Sequence, residues 1–426
     1  MGKGTKITSV FAREVFTDRG HPGIESIVIT ESSATGVAVS TSGTSRGKYE
    51  AKFALDGGTR WNGLGVSKAV NNVNNIIAVA IKGMDSTKQL EIDDVILKLD
   101  GTLDKSRLGA NATGSVSAAV LKAGTASLGI PLYQHIGGIN ACMLPVPGIT
   151  VMVGSGRYGA DKRAGGKPSY SIMCYGFNTF HEATYASWEI YTEFKKNIVK
   201  KFNLDIPANN YITIPPGQIK HDREFIKIIS EAISDLGYEN RAGIQADVAA
   251  GTYYDKNKHK YIGLFSADEK SKNDLTELYK ELVKTYPFVI IEDPLEEDDF
   301  GGHAYLKKEL GVEIVGDDLF ATNIERVKRG IDTDAAHSVL LKVYQIGTIS
   351  EAFEMVQFAY NHGMGIMPCG SRGEGADIAD YAVGLGAGQI RESALGPEGN
   401  RLLKIESELG SRAKFLGKAA VKGFKR

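Results

Sequence analysis

The sequence predicts an α/β protein in two parts, a small α+β N-terminal capping domain followed by a β/α barrel. Three observations carry this. First, 426 residues exceed what one ordinary core holds, so two domains are expected. Second, strand-like runs precede helical ones up to the proline-rich LPVP at 144–147. Third, from there onward short apolar runs alternate with amphipathic segments. Such alternation favours parallel strands, and their number favours a barrel. The expected domains are 1–143 and 144–426.

In the cap, IESIVIT (24–30) is β-branched and partly alternating, as a half-buried strand requires. Residues 36–40 and 49–55 read as further short strands around a Ser/Gly-rich turn. Val66, Val70, Val73 and Ile77 give residues 65–83 helical spacing, and 114–128 repeats that character. In the barrel, GIQAD (243–247), FVIIED (288–293), EIVGD (313–317), VLLK (339–342) and GIMP (365–368) read as buried strands. Amphipathic helices at 222–237 and 271–285 separate some of them. The glycine-rich basic stretch 154–169 is a long loop, and a loop of that length is functional or disordered.

Composition excludes several classes. Hydrophobic content of 42% and charged content of 24% are those of a globular protein. A net charge of -1 suggests neither nucleic acid nor an anionic membrane as partner. The three cysteines, Cys142, Cys174 and Cys369, form no metal spacing and fit a reducing compartment. MGKGTKITSV lacks an apolar signal core, and no run approaches the ~18 apolar residues that span a bilayer. A cytoplasmic location is therefore expected.

Three predicted strands end in acids, Asp247, Glu292 and Asp317, and a fourth ends in Lys342. At the C-terminal ends of barrel strands, such residues share one mouth. Three carboxylates converging there suit a hard divalent cation, Mg2+ above all. A lysine across the mouth, held neutral by desolvation and the nearby cation, can take a proton from carbon. Each residue alone also reads as a helix cap or a solvated lysine. Four buried strand ends delivering ionisable groups to one face need compensation, which a cation supplies.

Several segments resemble the enolase family in order: AREVFTDRGHPGIE (12–25), SGTSRGKYEA (42–51), QLEIDDVILKLDGTLDKSRLGANA (89–112), QADVAAGTYY (245–254), IEDPLEEDD (291–299), VGDDLFATN (315–323), LLKVYQIGT (340–348) and the run at 378–391. The resemblance implies an enolase-like cap on a TIM-like barrel and a small anionic carboxylate substrate. It implies that Asp247, Glu292 and Asp317 hold Mg2+ and that Lys342 is the base for the α-proton. It implies that Ser45, in a serine loop, reaches a second Mg2+ and that Arg391, standing where the family has lysine, grips the substrate carboxylate. A homodimer is implied on the same ground.

The chain also departs from the family. The QEF triplet falls on 168–170, so Ser169 replaces a glutamate; it is kept with Lys342 and Tyr344 as a catalytic candidate. The GDEGGF loop falls near NYITIP (210–215), which has no acid. SHRSGE becomes CGSRGE (369–374), with Gly370 for the histidine, Ser371 for the arginine, and Arg372 one place on. The segment 154–169 replaces GGSHAGN, and its Arg157, Lys162, Arg163 and Lys167 are candidate binders of an anion. Tyr158, Tyr170, Tyr175 and Tyr344 are candidates for the missing acid. These departures point to a Mg2+-dependent lyase that abstracts the α-proton of a carboxylate other than 2-phosphoglycerate, followed by β-elimination or isomerisation. The alternatives are phosphopyruvate hydratase and a non-catalytic enolase-like binding protein.

Overall fold

The computed structural model describes residues 4–17, 20–41, 46–153, 158, 167–203, 212, 214 and 217–425. The chain opens with an antiparallel meander of β1 (Ile7–Phe16), β2 (Pro22–Thr30) and β3 (Thr35–Thr41). Alternation in β2 turns Ile24, Ser26, Val28 and Thr30 inward, as the period of two demands. They meet the almost wholly buried α2 (Ala110–Leu128), against which α1 (Gln89–Asp100) packs. The small residues of α2 let it approach the sheet closely: the Ser26 and Ser115 hydroxyls lie 2.7 Å apart, and those of Thr30 and Ser127 2.9 Å apart. The helical spacing at 65–83 appears as helix from Ser67 to Ile81, with a π-helical turn over Val73–Ile77.

The strand expected at 49–55 does not form. Residues 46–53 instead run along the joint with the barrel. The Ala51 amide donates to the Gln345 carbonyl at 2.9 Å, and Lys52 donates to Asp104 at 2.6 Å. Their backbone groups are satisfied across the molecule rather than by a sheet.

Eight strands make the barrel: β4 (Val146–Val153), β5 (Ser169–Cys174), β6 (Ala242–Asp247), β7 (Phe288–Glu292), β8 (Glu313–Gly316), β9 (Ser338–Leu341), β10 (Gly365–Pro368) and β11 (Gln389–Ile390). They neighbour one another in that order, and β11 returns to β4. The Arg391 amide donates to Pro368 at 3.0 Å and closes the ring beside β10. The all-parallel expectation fails at β5, which runs antiparallel to both neighbours. Its N-terminus therefore lies at the same end as the C-termini of the parallel strands, and Ser169 pairs in register with Asp247. The helices α3 (Phe180–Phe202), α4 (Arg223–Asp235), α5 (Lys272–Thr285), α6 (Phe300–Leu310), α7 (Ile324–Asp332), α8 (Ile349–Asn361), α9 (Asp377–Gly384) and α10 (Gly396–Leu409) surround it.

The period of two along each strand stacks the interior in layers. Glu313, Ser338 and Gln389 form a polar floor, with Gln389 Nε2 donating to Glu313 at 2.7 Å. Two residues higher on their strands, Val315 and Leu340 join Met173, Ile290 and Met367 in an apolar layer. Two residues higher again come Asp317 and Lys342, level with Glu292 and Asp247. Among the described residues no single helix is long and apolar enough to cross a membrane.

His303 in α6 is fully buried. Its Nδ1 donates to the Asp299 carbonyl at 2.9 Å, while Nε2 has no partner among the described residues. Burial pulls its pKa down to about 4 from an ordinary 6.5. The unfolded chain then binds the extra proton between these values, so stability is full above pH 6.5 and is lost as pH falls toward 4. The expected loss is about 3 kcal/mol from this group. Thermal unfolding across pH 4–7 should show a shallower acid slope in His303→Phe than in wild type, whatever the offset between them.

Candidate active site

Asp247 and Glu292 end adjacent strands and are register partners. Asp317 follows β8, and Lys342 follows β9. All four are buried, at 2%, 0%, 5% and 5% exposure, at depths where unpaired charges are costly. Their compensation comes from one another. Lys342 Nζ donates to Asp317 Oδ2 in a short contact, and Gln345 Nε2 donates to Oδ1 at 3.1 Å. Arg391 lies between the other two acids, with Nη2 at 2.5 Å from Asp247 Oδ2 and Nη1 at 3.3 Å from Glu292 Oε1. Nη2 also donates to Ser169 Oγ at 3.0 Å. Gln245 Nε2 donates to Glu292 Oε2 at 3.1 Å. Lys167 enters from the rim onto the Oδ2 of Asp247. Both cations meet Asp247 as ion contacts, and its Oδ1 has no partner among the described residues.

The titration directions follow from these neighbours. Burial raises Asp317, but Lys342 outweighs it and holds the carboxyl well below its usual range. Burial lowers Lys342, but Asp317 outweighs that too, so the amine pKa lies above its ordinary value. Lys342 thus touches one of the acids directly, and the neutral amine expected above belongs to the site with its cation bound. Burial raises Glu292 against the pull of Arg391. Burial and Arg391 together bring Lys167 down to about 8.

An oxygen-only donor set of this kind fits a hard divalent cation. Glu292, Asp293 and Asp317 each offer a carboxylate oxygen within 4.8 Å of the others. Asp247 lies outside that trio, joined to it through Arg391, and its unpartnered buried Oδ1 is a further oxygen available to a cation. Asp293 went unrecognised in the sequence because strand alternation points it away from Glu292. A left-handed backbone, φ 45°, brings it back. Its carboxylate accepts from the amides of Asp317 (3.1 Å), Asp318 (2.7 Å) and Leu319 (3.3 Å), and so fixes the loop that carries Asp317. Gln245 and Gln345 were also missed. The one signal for them was position, two residues before Asp247 and three after Lys342.

Other expected residues are engaged differently. Arg372 is not open to an anion. It is buried against Glu50 of the cap, with Nη2 at 2.5 Å from Oε1 and Nε at 3.2 Å from Oε2. Tyr344 packs on α2, where a Cβ on Gly114 would lie 2.8 Å from its ring, so it belongs to the domain joint. Tyr158 and Tyr170 both donate to the buried Asp222 at 2.8 Å, since residue 170 faces outward on β5. Tyr175 lies at the far end of β5 against Phe424. None of the four tyrosines is placed as the missing acid. Ser45, Arg157 and Arg163 lie outside the described residues, as do Lys162 and most of 210–215. The neighbours of Ser45 are anchored: Lys48 and Tyr49 bind Asp298 at 2.9 and 2.6 Å, and Arg326 stacks on Tyr49 at 3.6 Å.

Residues 7–136 match the family model described as "Enolase, N-terminal domain", and residues 141–424 match "Enolase, C-terminal TIM barrel domain". The chain belongs to the enolase family. It is 42% identical to the protein named Enolase of Thermococcus kodakarensis over 97% of each chain. It is 39% identical to that of Methanocaldococcus jannaschii, over 98% of this chain and 99% of the relative. For that of Pyrococcus furiosus the figures are 41%, 98% and 99%. The chain is thus an enolase-type carbon–oxygen lyase.

The Glu50–Arg372 pair ties cap to mouth. Removing one member of a buried pair strands the other charge at about 3–5 kcal/mol. Urea unfolding of Arg372→Met should show a loss of that order, and Glu50→Gln combined with Arg372→Met should recover part of it.

Proposed function

We propose that this enolase-family chain uses Lys342 to abstract the α-proton of a metal-held carboxylate, after which the β-hydroxyl leaves and takes a proton from solvent to depart as water. We take the substrate to be 2-phosphoglycerate and the product phosphoenolpyruvate. The observation that carries the chemistry is the buried contact of Lys342 with Asp317 beside Glu292 and Asp293. The choice of substrate is supported by relatives named Enolase at 39–42% identity over nearly their whole length. On the same family grounds we place the enzyme in the cytoplasm as a homodimer.

In this reading Glu292, Asp317 and Asp247 hold Mg2+, with Asp293 bracing the loop of Asp317. The ion supplies charge stabilisation for the dianionic carboxylate that forms when the α-proton leaves. A lysine base paired with magnesium is established chemistry of enolase-superfamily sites and does not originate in the geometry of this chain. Lys342 Nζ accepts the proton and is returned to its ammonium form beside Asp317. Asp317 is thus both its electrostatic partner and the group whose engagement elsewhere frees it to act. Arg391, held by Asp247, Glu292 and Ser169, would orient the substrate carboxylate in this reading.

A second reading keeps the proton abstraction and changes the substrate to a carboxylate without the phosphate. Two observations favour it. Arg372 is engaged by Glu50, and all four candidate tyrosines face away from the carboxylates.

Incubation with Mg2+ and 2-phosphoglycerate in deuterium oxide separates the readings. We expect phosphoenolpyruvate to form, and Lys342→Ala to lower the rate by about 10²–10⁴-fold, the range of general acid–base assistance. Lysine-dependent deuterium exchange into another 2-substituted carboxylate, with none into 2-phosphoglycerate, selects the second reading. No lysine-dependent exchange into any such acid removes both.

A further inference from the structure

Lys167 is held differently from the other cations of the mouth. Its main chain is fixed, because the Tyr253 hydroxyl donates to its carbonyl and Pro168 follows it. Its side chain reaches inward from the rim, 16% exposed, to an Asp247 carboxylate that is 2% exposed. Lys342 and Arg391 are enclosed, at 6% and 4%. One oxygen of Asp247 thus meets two positive charges, Lys167 and Arg391, while its other oxygen has no partner among the described residues. Two like charges on one atom repel, and the one on the flexible, rim-mounted stem is the one that can leave, rather than the enclosed planar fork of Arg391.

We propose that Lys167 is a displaceable counter-ion, which neutralises Asp247 until a divalent cation enters and then presents its ammonium to the anionic group of the substrate. This rests on the metal-site reading above. It makes Lys167 a positioning residue that weakens cation binding in exchange for keeping the acid cluster paired.

Calorimetric titration of the full-length protein with Mn2+ alone tests this. Lys167→Met should bind Mn2+ at least ~10-fold more tightly than wild type, because a unit charge beside the ion has been removed. Its metal-free melting temperature should fall, and Lys167→Arg should restore the wild-type affinity. Lys167→Gln serves as a second neutral variant if the methionine form does not fold. A folded neutral variant with unchanged or weaker Mn2+ affinity overturns the proposal. Glu292→Gln identifies where a failure lies. Loss of Mn2+ binding there, without tightening in Lys167→Met, removes only the role of Lys167. Unchanged binding in Glu292→Gln removes the metal-site reading and this proposal with it.

Discussion

The mouth of the barrel depends on one constraint: carboxylates buried on strand ends must be neutralised within the protein. Asp247, Glu292 and Asp317 sit where bulk water does not reach, and the chain answers with Arg391, Lys342 and Lys167. Such a cluster is poor stabilisation compared with apolar packing, because desolvation offsets much of the ionic attraction. Its retention over an apolar layer of Ile290, Val315, Leu340 and Met367 is a mark of function rather than of folding. The same constraint reaches the cap, where Glu50 pairs with Arg372 and fixes residues 46–50 beside the mouth. A Cβ added at Gly47 would lie 2.6 Å from Asp318 Oδ1 and would displace that carboxylate.

Some of the left-handed non-glycine residues lie at the same end, with others elsewhere in the chain. Left-handed conformations occur at Ala249 (φ 43°), Asp293 (φ 45°), Ala321 (φ 49°), Thr322 (φ 55°) and Glu392 (φ 60°), each within a few residues of an ionic group of the mouth. For residues with a Cβ this costs roughly 1 kcal/mol or more apiece. The loops absorb that cost because each turn delivers a side chain or an amide to the cluster, as Asp293 does for the amides of 317–319.

Much of this was legible in the sequence. The five apolar runs that end at Asp247, Glu292, Asp317, Lys342 and Pro368 are barrel strands, because buried strands need little but continuous apolar residues. What was not legible depended on direction. Nothing in SYSIMC distinguishes an antiparallel strand from a parallel one, so β5 and the placement of Ser169 at the mouth came only with the fold. Asp293 was hidden by a single positive φ. Arg372 and Tyr344 were placed by their spacing from known motifs, but their partners, Glu50 and Gly114, come from the cap far away in the chain. Long-range pairings of that kind leave no local periodicity.

A crystal structure of the protein with Mg2+ and a substrate carboxylate tests the central claim most directly. The account predicts the ion on oxygens of Glu292, Asp317 and Asp247, the carboxylate bound to it, and the Lys342 amine within hydrogen-bonding reach of the α-carbon. An ion bound elsewhere, or an α-carbon remote from Lys342, would contradict it.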